Sequence, residues 1–565
     1  MFLLRMRGRR RWVRLLALAV SAEFILSPIA VYAQPPQIVP DGRTQTHLAI
    51  SGRTTDVTTG TIHGANALNS FSKFDVYTGN TVNLHVPGAA SRLINLVHNQ
   101  RTHIDGILNA YKGGRIGGNV YFLNPHGVVV GAQGSINVGA LTLMTPTQDY
   151  MGSFFDAPGV PNAGALHLLD SGQVPLSETG LISVKGRINA LEVASLAAGQ
   201  VSVGGHIVTG PEAWARVQFG DLVNIEGIRQ GNELTVTESG EIRIVAAGDV
   251  AIEGRLAAEG ADTIDGGFVG IDAGGDVVLS KGGTLSARGH GEDSDGGTVD
   301  VWADNDATFG AGAAIDVRGG EVSGDGGFAE LSAERTVNLD GGQFRASATD
   351  GLGGIVVIDP DEINITVDQS FDGADHTFAA DNRITVASGV TVSSRQVVAG
   401  DHGTAASTGD SGDLTFEAQE IAVGTDARIL AHADSGFEAG DVALTAESAG
   451  TAAISVEDAE ITGGDIELTA TATTDNTLAN LNPVAVTDAS VSVTDGSALT
   501  ASGDVTVTAT SKQSEPIIQN GLFDARKAHS TVTVTDSAIT AGDAIDLSSS
   551  SEMESKVTKT LVDLP

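Results

Sequence analysis

Asp265-Gly266-Gly267-Phe268-Val269-Gly270-Ile271 returns as Asp295-Gly296-Gly297-Thr298-Val299-Asp300-Val301 and again as Asp325-Gly326-Gly327-Phe328, 30 residues apart each time. Each copy opens three short strand-like runs. In the first copy the second and third runs are Val277-Val278-Leu279 and Leu285-Ser286-Ala287; in the next they are Ala307-Thr308-Phe309 and Ile315-Asp316-Val317. A second period follows, in which Gly464-Asp465, Gly503-Asp504 and Gly542-Asp543 lie 39 residues apart, each preceded by an alternating run such as Val491-Ser492-Val493-Thr494. Alternation of Val, Ile or Leu with Thr, Ser or Asp marks a half-buried strand, and the intervening Gly, Asn and Asp are read as positive-φ corners.

Short strands without intervening helices cannot form a βαβ sheet, because parallel neighbours would need helical crossovers. An all-β, right-handed parallel β-helix resolves this by stacking each strand on its equivalent one coil later. Its narrow interior accounts for the scarcity of aromatics. With stacked strands ~4.8 Å apart, a rod on the order of 100 Å long is expected. A sandwich array would explain the alternation but not the spacing of the glycine corners. Helical periodicity is nearly absent, apart from a turn or two near Pro211-Glu212-Ala213-Trp214-Ala215.

Composition agrees with a solenoid. The 565 residues include 72 glycines, 4% aromatics and 18% charged residues, with 41% hydrophobic. Acidic residues outnumber basic ones 70 to 32, giving a net charge of −38, which argues against a nucleic-acid partner. Cysteine is absent. Disulfides, zinc-thiolate centres, iron–sulfur clusters and thiol nucleophiles are thereby excluded.

Arg5, Arg7, Arg9, Arg10, Arg11 and Arg14 precede an apolar stretch from Leu15 to Leu26, then Pro28 and Val31-Tyr32-Ala33. This is the layout of a secretory signal peptide cleaved after Ala33. Processing leaves 26 basic and 69 acidic residues and no integral membrane segment.

Residues 60–145 carry more specific motifs. Asn69-Ser70-Phe71-Ser72-Lys73-Phe74-Asp75-Val76 resembles the Asn-x-x-x-x-Phe-x-Val of the two-partner secretion domain that opens filamentous haemagglutinins. Ile104-Asp105-Gly106-Ile107-Leu108 resembles its Ile-x-Gly-x-Leu. Asn124-Pro125-His126-Gly127 resembles its Asn-Pro-Asn-Gly, with His126 in place of the second Asn. A further family motif, Asn-Pro-Asn-Leu, has only a partial echo in Gly79-Asn80-Thr81-Val82-Asn83-Leu84. In the combination Leu93-Ile94-Asn95-Leu96-Val97 through Pro125-His126-Gly127 the chain is most similar to the leukotoxin-type branch of filamentous adhesins.

The resemblance implies Sec-dependent passage to the periplasm and recognition of the N-terminal domain by the periplasmic domains of an outer-membrane β-barrel transporter. It also implies an extracellular or outer-surface destination, with adhesion to a host or surface receptor that the sequence does not identify. A chain that crosses the periplasm unfolded has reason to lack cysteine, since a disulfide closed there would make a loop to be threaded. The resulting division is a signal peptide at 1–33, a two-partner secretion (haemagglutination activity) domain at 34–260, Gly-rich repeats at 261–362 and Ala/Thr/Asp-rich repeats at 363–565. Residues 548–565 read as a linker with no following strand, so a truncated longer protein or a frayed last coil is expected.

Reactive chemistry is discounted residue by residue. Gly409-Asp410-Ser411-Gly412 beside Asp401-His402 suggests a serine protease, but Gly412-Asp413-Leu414 fits the repeat corner. Glu292-Asp293-Ser294-Asp295 and Asp372-Gly373-Ala374-Asp375 lack a recognised calcium-loop pattern. His98, His103 and His126 lack metal-ligand spacing. No catalytic residue, metal or cofactor is expected. The alternatives to an adhesin are a β-helical polysaccharide-active enzyme and a leukotoxin-like cytotoxic exoprotein.

Overall fold

The computed structural model describes residues 35–213, 239–371, 373–397, 405–474, 486–513 and 527–553. The segment read as a signal peptide, Ala33 included, lies outside them, as do Trp214 and Ala215; residues 210–213 are helical. Each Asp-Gly-Gly repeat is one coil of three strands. The first comprises Phe268–Ala273, Val277–Leu279 and Thr284–Ser286; the next comprises Thr298–Ala303, Asp306–Gly310 and Ala314–Asp316. Phe268 pairs in parallel with Thr298, and Thr298 with Phe328, so the 30-residue period is the step between stacked coils. Alternation sets the faces: Val299, Val301 and Ala303 point inward, while Asp300 and Trp302 point out.

The chain is therefore a parallel β-helix. Two of its faces share a 32-stranded hydrogen-bonded assembly, and the third consists of a 12-stranded and a 6-stranded sheet. The third face breaks between Gln343–Arg345 and Gln369–Ser370, while the first two run on through Ile355–Ile358 and Glu362–Ile365. On the first face sixteen strands pair in succession from Asn66–Val76 to Ile545–Met553, a stack of ~70 Å at ~4.8 Å per strand. The rod is shorter than the sequence suggested because some coils are long. Stacked partners are 52 residues apart at Asn137 and Asn189 and 40 apart at Asp504 and Ala544.

Inward side chains line up by type. Val269, Val299, Ala329, Val356, His376 and Leu414 form one column, all essentially inaccessible to solvent. Phenylalanine is not excluded from the interior. Phe309, Phe344, Phe371, Phe378 and Phe416 are buried and meet in succession at ring-centroid distances of 4.7, 5.7, 5.7 and 4.7 Å.

The corners work differently from the expectation. Among the described residues, positive φ occurs at glycines and at five aspartates, and at no asparagine. The Asp-Gly-Gly glycines are absent from that set; a Cβ on Gly297 would collide with the carbonyl oxygen of Gly267 in the coil below. Close stacking of backbone on backbone excludes a side chain there. The aspartate ties one coil to the next, since Oδ1 of Asp265 accepts the N–H of Asp295 at 2.9 Å, and Oδ1 of Asp295 that of Asp325 at 2.8 Å. A second such ladder runs Asp375, Asp413, Asp441, Asp465, Asp504, each carboxylate accepting the next N–H at 2.7–2.9 Å.

The N-terminal end is closed by antiparallel strands. Gln37–Pro40 runs against Asn66–Val76, and the hairpin Thr46–Ser51/Thr54–Thr59 delivers its second strand parallel to Thr81–His85. At the other end Ile545–Met553 is a strand paired with Val505–Gln513, so residues 548–553 are not the linker that was expected; residues 554–565 lie outside the described region.

Two helices, unanticipated in the sequence, interrupt the 52-residue coil: Gln148–Ser153, capped by Thr147, and Ala163–Asp170, capped by Asn162. They cover a second apolar cluster outside the coil. Its strand side consists of outward-facing Leu68, Ile94, Leu96 and Leu123, and its helix side of Tyr150, Met151, Phe154 and Leu169.

Candidate functional site

The motif residues lie in the first coils beneath the cap, and the fold buries all of them but the half-buried His126. Asn69 is inaccessible; its Oδ1 accepts from Thr46 Oγ1 in the cap hairpin at 2.8 Å, and its Nδ2 donates to Asn95 Oδ1 in the next coil at 3.0 Å. Asn95 in turn donates to the Tyr121 carbonyl at 3.1 Å. Phe74 meets Phe71 and Phe122 edge-on, both at 5.1 Å. The Asn69–Asn95–Tyr121 chain joins three successive coils.

Val76, Ile104 and Leu108 are fully buried. The Val76 carbonyl accepts the N–H groups of Asp105 and Gly106 at 2.7 and 2.9 Å, turning the chain between two faces. A Cβ on Gly106 would strike the Asn80 and Tyr77 carbonyls. Asn80, part of the partial echo, donates to the Tyr77 carbonyl from its side chain at 3.0 Å.

Asn124 organises the third motif. Its Nδ2 donates to the Gln100 carbonyl at 2.9 Å and to Thr102 Oγ1 at 3.0 Å, while its Oδ1 accepts the His126 N–H at 2.9 Å. Pro125 is buried in the turn, and Gly127 closes it at φ 103°, its N–H donating to the Asn124 carbonyl at 3.0 Å. An alanine at 127 would be strained and would press on the Leu181 carbonyl. His126, the departure from the family pattern, places Nε2 3.1 Å from the His98 carbonyl and 3.1 Å from Gln148 Nε2 on the helical insertion.

These ten residues, Asn69, Phe74, Val76, Ile104, Gly106, Leu108, Asn124, Pro125, His126 and Gly127, do not converge on a pocket. They pin three coils and the cap in one register. His98 stays close to Arg43 and Ser70, and its imidazole is held below its ordinary pKa by burial first and by Arg43 second. His103 lies 3.5 Å from Asp75. Among the described residues no group of three histidine or acidic side chains could hold a metal ion, and no helix is long and apolar enough to cross a membrane.

The protease-like motif is absorbed by coil stacking. Ser411 Oγ donates to the His432 carbonyl at 3.0 Å and Asp410 Oδ1 accepts the Glu438 N–H at 2.8 Å; Asp401 and His402 lie outside the described residues. Of the acidic loops, Asp295 and Asp375 are rungs of the aspartate ladders, Asp293 accepts from Ser323 at 3.2 Å, and Asp372 lies outside the described residues.

Sequence reasoning missed an amide ladder on the outer side of the third face, half-buried at Asp56 and Asn83 and buried from Asn109 on. Asn83 donates to Asp56 at 3.1 Å, Asn109 to Asn83 at 3.2 Å, Asn137 to Asn109 at 2.9 Å and Asn189 to Asn137 at 2.9 Å. Its signal is an Asn between aliphatic residues, as in Val82-Asn83-Leu84, Leu108-Asn109-Ala110, Ile136-Asn137-Val138 and Ile188-Asn189-Ala190. A buried amide supplies both donor and acceptor, so identical residues can satisfy one another along a stack.

Residues 36–290 match the model of the TPS secretion domain. Among solved structures, the HMW1 secretion domain from Haemophilus influenzae is 16% identical, with 73% of this chain and 100% of that chain covered and a TM-score of 0.33. A filamentous hemagglutinin secretion domain is 18% identical, with 61% and 100% covered and a TM-score of 0.26. No curated protein matches. Residues 36–290, a little under half of the chain, are thus identified as a TPS secretion domain, the domain found in two-partner-secreted exoproteins.

Proposed function

We propose that this chain is a filamentous haemagglutinin-like adhesin, exported through the periplasm by an outer-membrane β-barrel transporter whose periplasmic domains take up residues 34–260. The β-helical repeats after residue 260 serve as a non-enzymatic shaft at the outer surface or outside the cell. The observation that carries this reading is the match of residues 36–290 to the TPS secretion domain, with its motif residues buried as register pins rather than gathered into a reactive centre.

A coil that docks on its predecessor through parallel strand pairing and an aspartate contact gains stability one step at a time. An extended chain emerging from a transporter can use that stepwise gain directly. Strand addition is the contact mode an incompletely folded N-terminal domain offers to its carrier.

The test is export in a strain carrying the transporter. Deleting residues 34–260, or removing the transporter, is expected to abolish extracellular protein. Undiminished export in either background would overturn the reading, and unimpaired adherence of cells lacking the exported chain would remove its adhesive part.

A further inference from the structure

One outer face of the shaft collects aromatic side chains among carboxylates. On the stacked strands Phe268–Ala273, Thr298–Ala303, Phe328–Ala333 and Ile355–Ile358, register places Phe268, Thr298, Phe328 and Ile355 in one outward column. A parallel column holds Val245, Asp272 and Trp302. Trp302 is 40% exposed and Val245 41%. The indole N–H donates to Asp304 Oδ1 at 2.9 Å, which fixes the ring's orientation.

The charge around these rings is one-sided. Asp300 and Glu330 lie between the two columns. The face is bordered by Asp265, Asp295 and Asp325 on one side and by Asp249, Asp276 and Asp306 on the other. The nearby cations are already engaged: Arg243 with Glu241 and over the Phe268 ring, Arg335 with Asp306 at 2.8 Å. The Asp300 carboxyl is pushed up by burial and by the neighbouring Asp272. A cation placed there relieves that repulsion.

We propose that this face binds a linear amino-sugar polymer with free amines, a sugar ring face lying on Trp302 and ammonium groups on Asp272, Asp300 and Glu330. Stacked strands repeat every ~4.8 Å, close to the length of one pyranose unit in an extended chain. Carboxylates recurring coil by coil thus meet amines recurring sugar by sugar. A neutral glycan would leave the carboxylates uncompensated, and a basic peptide, although its cations can lie over the indole, repeats every ~3.3 Å when extended and so does not match the coil spacing.

The inference deepens the adhesin reading and rests on it, but the two fail separately, because binding is measured on the purified full chain and export in cells. Calorimetric titration with a glucosamine hexamer at mildly acidic pH is expected to show binding. Trp302→Ala and the double substitution Asp272→Asn/Asp300→Asn are each expected to weaken it about tenfold. Trp302→Phe should retain most of it, and far-UV circular dichroism should be the same for all four proteins. Three results would overturn the proposal: no binding of the hexamer, equal binding of the N-acetylated hexamer, or hexalysine binding as tightly with no effect of Trp302→Ala.

Discussion

The first coils and the last are stacked by the same backbone pairing but held in register by different means. Between Asp56 and Asn189 the coils carry amide ladders, the Phe71–Phe74–Phe122 contact in the interior, an antiparallel cap and a helical cover. Between Leu414 and Met553 it is mostly aliphatic and alanine, strands reach nine residues, and the recurring corner contact is an aspartate on a backbone N–H. Amide and aromatic contacts are directional, so the first region has one acceptable alignment. Aliphatic columns accept substitutes.

The last coil illustrates this tolerance. The Gly-Asp corners are 39 residues apart in sequence, yet Val505 pairs with Ile545, 40 residues on, and Ala544 takes the position at which an aspartate stands in the coils below. Pairing at 39 would align Ala544, Asp546 and Ser548 with the inward Val505, Val507 and Ala509; pairing at 40 aligns Ile545, Leu547 and Ser549 instead. Since a one-residue slip exchanges the faces of a strand, the apolar pattern overrides the corner repeat.

The contrast can be broken most severely at the pins. Asn124→Ala leaves the Gln100 carbonyl and the His126 N–H without their partner, on the order of 3 kcal/mol, and Gly127→Ala adds backbone strain. Both are expected to abolish export and expose residues 36–213 to protease; normal secretion of either variant would show that this register is dispensable. In the shaft, Asp295→Ala should cost about 1–3 kcal/mol, confined to the coils around Asp325, whereas Asp295→Asn, whose amide oxygen still accepts, should be close to neutral. Hydrogen exchange resolved by peptide would read the difference, and equal behaviour of the two variants would remove the ladder's role.

Smaller effects depend on pH. Burial holds His376 well below the ordinary histidine range, stacked on Phe371 at 3.7 Å in a column otherwise apolar; the Val356 backbone opposes this without outweighing it, and neither ring nitrogen makes a hydrogen bond of regular geometry. Its folded pKa lies below its unfolded value of about 6.5, so stability is fullest above that pH and declines as pH falls below it. His376→Leu should flatten the loss of melting temperature between neutral and mildly acidic pH. An unchanged slope would show that the coil tolerates the charge.

A second pH-dependent change is expected at Glu259. Burial alone would raise its pKa, but hydrogen bonds from His290 and Ser286 and the Arg255 guanidinium outweigh burial and hold it at about 2. Its contribution is complete above the unfolded value of about 4.3 and disappears as pH falls toward 2. Glu259→Gln should therefore lose stability at neutral pH and converge with the parent in strong acid, as melting temperatures across that range would read; parallel curves would remove the carboxylate's role.

What was legible in the sequence was whatever repeats. The Asp-Gly-Gly period and the alternation of Val299, Asp300 and Val301 contain the coil, and the Asn124 turn was readable because proline and glycine dictate its backbone. Features that occur once were not. The helices of six and eight residues are too short for a periodic signal, and only Thr147 and Asn162 announce them. The amide ladder was hidden for another reason: Asn109 reads as polar in isolation, and its burial becomes acceptable only once Asn83 and Asn137 stand on either side of it.

The antiparallel cap has a consequence for how copies of this chain meet. A parallel solenoid left open at its start would offer the next molecule a template, and rods would concatenate end to end. Here the strand Thr46–Ser51 runs against the direction of the stack. A second rod arriving at that end meets an edge strand of opposite direction, so the parallel stacking of the coils does not continue unbroken across the junction.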